Sequence, residues 1–139
     1  MSKSSFLLAA ALVIAAPSLA SAHATLEVQQ AKVGSTYKAV MRVPHGCQGA
    51  PTLKVRIKIP EGFYAVKPMP KAGWALETTT GKYAKSYDNH GTALTEGVTE
   101  IVWTGKLDDA HYDEFVFRGT FAKDLDTRSE EHTSELQSH

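Results

Sequence analysis

The chain has 139 residues and a mass of 15.1 kDa, with 15 basic residues, 15 acidic residues, six His and one Cys. That length allows one domain, and the zero formal charge argues against nucleic acid, whose partners usually carry a basic stripe. A 42% hydrophobic content is too high for a disordered chain, and a single Cys excludes an internal disulfide framework or a multi-Cys metal knuckle.

Residues 1–22 read as a secretion signal. Lys3 supplies the positive charge, Phe6 to Ala16 is an apolar run, and Pro17-Ser18 breaks it. Ala20-Ser21-Ala22 is a small-x-small cleavage site, and the apolar run is short for a membrane span. Cleavage after Ala22 makes His23 the first residue of a periplasmic or secreted protein. Residues 128–139, RSEEHTSELQSH, lack hydrophobic periodicity. The string resembles a translated sequencing adapter, so the acids and His of this tail are expected to carry no function. The domain is then 23–127, which is 105 residues with 13 Lys/Arg against 12 Asp/Glu, and it is expected to lack its last strand or strands.

Within 23–127 the pattern is one of short strands separated by Gly and Pro. His23 to Gln29 alternates, with Ala24, Leu26 and Val28 on one face. Gly34-Ser35 is a turn. Thr36 to Val43 sets Tyr37, Ala39, Met41 and Val43 against Lys38, Val40 and Arg42. Pro44 to Gly49 is a loop. Leu53 to Ile59 places Leu53, Val55, Ile57 and Ile59 inward and Lys54, Arg56 and Lys58 outward, a period of two with no helical competitor. Pro60-Glu61-Gly62 turns the chain into a short strand, Phe63 to Val66, and Pro68-Met69-Pro70 cannot join a central ladder. Trp74 to Thr79 and Lys82 to Tyr87 read as a hairpin around Gly81. Val98 to Thr104 and Glu114 to Phe121 are strands, joined by the polar loop Asp108 to Asp113. No window supports a long amphipathic helix. This spacing predicts an all-β sandwich of the immunoglobulin or cupredoxin kind.

The mature N-terminus is the first candidate for chemistry. The α-amine and imidazole of His23 can close a chelate ring on one metal ion, and the amine's low pKa makes its deprotonation inexpensive when a metal competes. Nitrogen donors in a plane favour Cu(II). His45, in a loop at a strand end, is the second candidate ligand. Cys47 is odd in an exported protein. It is either half of a disulfide whose partner lay beyond Thr127, or a soft metal ligand beside His23 and His45. Trp103 reads as core, Trp74 as a residue over the domain end, and Met69 as packing. Glu27 lies about 13 Å from His23 by strand rise, and His90 and His111 sit in polar loops. Adjacent acids such as Asp108-Asp109 and Asp113-Glu114 read as solvated. The nucleophile elbow, zincin, P-loop and dinucleotide motifs are all missing, so no enzyme class is indicated.

Taken together, several segments resemble the YcnI-like family in collinear order across 23–127. They are His23-Ala24-Thr25-Leu26-Glu27, Arg42 to Cys47, Val55 to Gly62, Val66 to Trp74, Gly97 to Trp103, and Asp113-Glu114-Phe115. The resemblance implies an exported β-sandwich that binds Cu(II), through a brace in which an N-terminal His gives its amine and side chain and a carboxylate and a Trp complete the surroundings. It also implies a periplasmic copper chaperone acting beside other copper-handling proteins. His23 carries over directly. The Pro44 loop aligns His45 or Gly46 with the carboxylate, leaving His45 as its substitute, and the Trp is expected downstream of Thr127. The branch with the His-Gly-Cys loop carries a downstream Cys, in keeping with a disulfide for Cys47. A metal-free structural or adhesive sandwich and a histidine-brace copper oxygenase are the rival readings.

Overall fold

The computed structural model describes residues 24–44 and 49–125. The proposed signal segment, His23, His45, Cys47 and the polar tail all lie outside the described residues. Seven strands follow in order: β1 (Thr25–Leu26), β2 (Thr36–Val43), β3 (Thr52–Lys58), β4 (Phe63–Pro68), β5 (Ala75–Asn89), β6 (Thr92–Leu107) and β7 (Asp113–Phe121). They form two antiparallel sheets, ordered β1-β2-β7-β4 and β3-β6-β5. The expected all-β sandwich is therefore present.

Alternation sets the core. Tyr37, Ala39, Met41 and Val43 of β2 and Phe115 and Phe117 of β7 face Val55 and Ile57 of β3 and Ile101 and Trp103 of β6. Trp103, Phe115, Met41 and Ile57 are almost fully removed from water, which is the main favourable term in a fold this small. The Trp103 indole N–H donates to the Met69 carbonyl at 3.2 Å, so its one polar atom is satisfied inside the core. A second cluster stacks Tyr64 on Tyr87, with ring centroids 4.8 Å apart, and packs against Ala122.

Three details differ from the alternation pattern. Leu53 points outward, 55% exposed, because the β3–β6 register shifts between Thr52 and Lys54 and turns Thr52 inward instead. β1 stops at Leu26, and Val28 is exposed. The hairpin turns at His90-Gly91, not at Gly81. β5 runs unbroken through Gly81, which lies opposite Gly97 of β6. A Cβ on Gly97 would meet the Tyr83 hydroxyl at 1.8 Å, so the glycine makes room for a ring lying across the ladder. His90 and Gly91 both have positive φ, 53° and 87°, as a two-residue primed turn requires.

Candidate functional site

β1 enters the four-stranded sheet against the end of β2, with Thr25 opposite Arg42. The next strand, β7, begins at the same end: Val43 lies opposite Asp113 and Arg42 opposite Glu114. Thr25, Arg42 and Glu114 therefore form one row across three strands. They lie on the outer face, because their neighbours Leu26, Met41, Val43 and Phe115 are core. Asp113 shares the inner face with Val43 and Phe115. The Asp113-Glu114 pair thus opens β7 at the sandwich rim, with both residues half-buried, and is not solvated loop as its composition suggests.

Each carboxylate already has a polar partner. Lys71 pairs with Asp113 at 2.5 Å and sits 5.4 Å from the centre of the Phe115 ring. Glu114 accepts a hydrogen bond from the Tyr112 hydroxyl. That bond is the first cause holding the Tyr112 phenol above its ordinary pKa, while the nearby Arg42 charge pulls the other way and Glu27 adds to the rise. Arg42 buries its Nε with no hydrogen-bond partner among the described residues. Leaving a buried guanidinium nitrogen without a partner is costly.

Trp74 belongs to the same end. Its ring meets Phe115 edge-on at 4.9 Å and lies over Gly105, where a Cβ would sit 2.4 Å from it. This matches its reading as a residue over the domain end. Trp103 is core, as expected. Met69 is 53% exposed, although its backbone is tied to Val116. His111 lies in an exposed turn, and its N–H donates to the Asp108 carbonyl.

Among the described residues, no group of three or more His, Cys, Asp or Glu could hold a metal ion. The candidate ligands His23 and His45 and the candidate disulfide residue Cys47 lie outside those residues, but Ala24, which follows His23, and Pro44, which precedes His45, are described. Ala24 leads into β1 and Pro44 follows β2, so the chain reaches both segments from the rim that carries Arg42, Asp113 and Glu114. The carboxylates were within reach of sequence reasoning. Asp113-Glu114-Phe115 is part of the collinear match, yet only strand pairing shows what stands opposite it.

A family model described as "Domain of unknown function (DUF1775)" matches residues 23–132. The chain belongs to this family. DUF1775 is the family of the YcnI resemblance, so that likeness holds at family level. No curated protein matches the chain. Among solved structures, an uncharacterized protein from Nocardia farcinica with an immunoglobulin-like fold is similar, with a TM-score of 0.53 and 17% identity over 74% of this chain and 70% of that one. That likeness establishes the DUF1775 domain here as an immunoglobulin-like sandwich.

Proposed function

We infer that the protein is an exported Cu(II)-binding factor of copper homeostasis that holds the ion through the amine and imidazole of His23. One observation carries the reading: the β1–β2–β7 register brings the approach to residue 23, the exit toward His45 and the carboxylates of Asp113 and Glu114 to one rim. His23 directly precedes Ala24 in sequence, and His45 directly follows Pro44. The family match also starts at residue 23.

The charges at the rim define the division of labour. Asp113, Glu114 and Glu27 face Arg42 and Lys71, so the described groups leave little net negative charge for a divalent cation. Affinity must come chiefly from the nitrogen chelate of His23. His45 is the auxiliary ligand, and Glu114 or Asp113 is the carboxylate that this rim would offer. Copper bound there would supply an electrophilic and redox-active centre. The protein's own groups would orient the chelate, and Trp74 and Phe115 would shield one side of the rim. Cys47 is read as a disulfide half, outside the ligand set. Storage or transfer of copper to other copper-handling proteins requires no covalent chemistry from this chain.

The test is Cu(II) titration followed by electron paramagnetic resonance on protein beginning at His23, against protein with one extra N-terminal residue. A blocked amine should weaken binding by at least about tenfold, or about 1.4 kcal/mol, through the loss of one nitrogen donor to the ion. Equal affinity and equal spectra in the two forms would refute the chelate.

A further inference from the structure

The outer face of the same sheet carries a second cluster, toward its opposite end. Lys38 of β2 lies directly opposite Arg118 of β7, and Arg118 lies directly opposite Lys67 of β4. Three cations thus stand side by side across three strands, about 5 Å apart at their Cβ atoms. All three are exposed, and none has an ion-pair partner among the described residues. Like charges directly opposite one another destabilise a sheet, so the row is a cost to the isolated fold.

The nearby carboxylates are engaged elsewhere. Glu61 accepts the Ala84 N–H and the Tyr87 hydroxyl, Asp124 pairs with Lys85, and Asp88 accepts the Gly91 N–H. The row instead borders a pocket of about 160 Å³ lined by Lys67, Arg118, His90, Asn89, Thr36 and Thr120. Every polar side chain in that lining can donate a hydrogen bond, and none is a carboxylate.

The backbone around the pocket is also unusual. Among the described residues, the two non-glycine residues with positive φ are Ala65 and His90, both at 53°, and both line this pocket. The primed turn accounts for His90. Ala65 sits in the bulge between Tyr64 and Lys67, where the β4–β7 register shifts. Bulges re-aim side chains, and here the residue that follows the bulge is the cation Lys67. A left-handed alanine is strained, and such strain concentrates at ligand sites.

We propose that this pocket binds a phosphate-type oxyanion, held by Arg118 in a two-pronged contact and by Lys67, with Lys38 supplying field and the Thr36 and Thr120 hydroxyls completing the tetrahedral donor set. Guanidinium suits such anions because its fork of N–H donors matches two of their oxygens. The anion would remove the repulsion within the row. The source is either a free phosphate or the phosphodiester headgroup of an anionic lipid, and the chemistry of recognition is the same for both.

The experiment has two arms on the folded protein. Inorganic phosphate is titrated at constant ionic strength, read by NMR shifts of the Arg118, Thr120 and His90 amides and by thermal unfolding. Vesicles of phosphatidylcholine with and without phosphatidylglycerol are then tested by co-sedimentation. Wild type should show saturable shifts and a rise in Tm with phosphate that chloride does not reproduce. Arg118→Gln should weaken binding about tenfold, the scale of one charged hydrogen-bonded contact, and Lys67→Gln by somewhat less. Lys54→Gln, an exposed lysine on the other sheet, should change nothing. Arg118→Gln should also keep or raise Tm without phosphate, which separates lost binding from lost folding. Vesicle binding that needs phosphatidylglycerol and Arg118, without response to inorganic phosphate, supports the headgroup source. Binding that survives Arg118→Gln and Lys67→Gln together, or no response in either arm, overturns the proposal.

Discussion

Tyr87 shows how much one polar atom in a small core can weigh. Its ring is buried, stacked on Tyr64, and its hydroxyl donates to Glu61, 26 residues earlier in the chain. Burial first, and then the Glu61 carboxylate, push its phenol far above the ordinary value of 10.0. Burial likewise raises Tyr37 and Tyr83. The sign follows directly. Near and above pH 10 the unfolded chain releases phenolic protons that the folded chain retains, so stability is full below that pH and declines as pH climbs past it. Thermal unfolding as a function of pH should therefore show Tm falling steeply above about pH 10. Tyr87→Phe should cost about 1 kcal/mol at neutral pH, through the lost hydrogen bond, and make the alkaline fall shallower. An identical alkaline slope in the variant would mean that Tyr87 does not govern it. The sequence marks Tyr87 only as a strand residue. Its partner is invisible there because a contact across 26 residues leaves no local pattern.

At the scale of the strand, alternation made most of the architecture legible, and its failures have local causes. β2 and β7 read correctly because each has one buried and one wetter face, so period two reports orientation directly. Leu53 misleads because a bulge adds a residue and reverses the faces for one position. Gly81 misleads because glycine marks both turns and places where a side chain crosses a strand, and only the pairing with Gly97 separates the two. Gly119 is the same device in the core. It lies in β7, and a Cβ there would stand 2.6 Å from the ring of Phe63, itself 4% exposed. That ring is boxed in by Tyr37, Phe117 and Phe121, at centroid distances of 6.3, 6.2 and 4.7 Å, and cannot swing clear. Gly119→Ala should therefore destabilise by about 1–3 kcal/mol, the usual cost of overpacking, measured by denaturant unfolding. A neutral effect would show that β4 moves freely relative to β7.

For the molecule as a whole, the outer face of the four-stranded sheet divides into two chemical regions. One rim mixes Glu27, Arg42 and Glu114 beside the approach to His23, and the other part carries the row Lys38, Arg118 and Lys67. Only the first was foreshadowed by sequence, through His23 and the collinear family segments. The second was not, because its cations lie on three strands and are spread over 81 positions, from Lys38 to Arg118; register alone assembles them. The two regions share β2 and β7, which raises the question of coupling. Positions 38 and 42 are four residues apart on β2, about 13 Å by strand rise. Unit charges at that distance in water interact by roughly 0.3 kcal/mol, and a dication with a phosphate dianion by roughly four times that; physiological salt, with a screening length of about 8 Å, reduces this several-fold. Bound Cu(II) and bound phosphate should therefore favour one another only weakly, by less than about threefold at physiological salt and by more at low salt. Linkage requires the effect to be equal in both directions, so titrating copper with phosphate present and phosphate with copper present must give the same factor. Phosphate also complexes free copper, so that competing equilibrium must be measured in parallel and subtracted. A reciprocal factor above about tenfold, insensitive to salt, would exceed what charge alone supplies at this distance. It would then have to travel through movement of β2 against β7, whose paired ladder is the one element common to both regions.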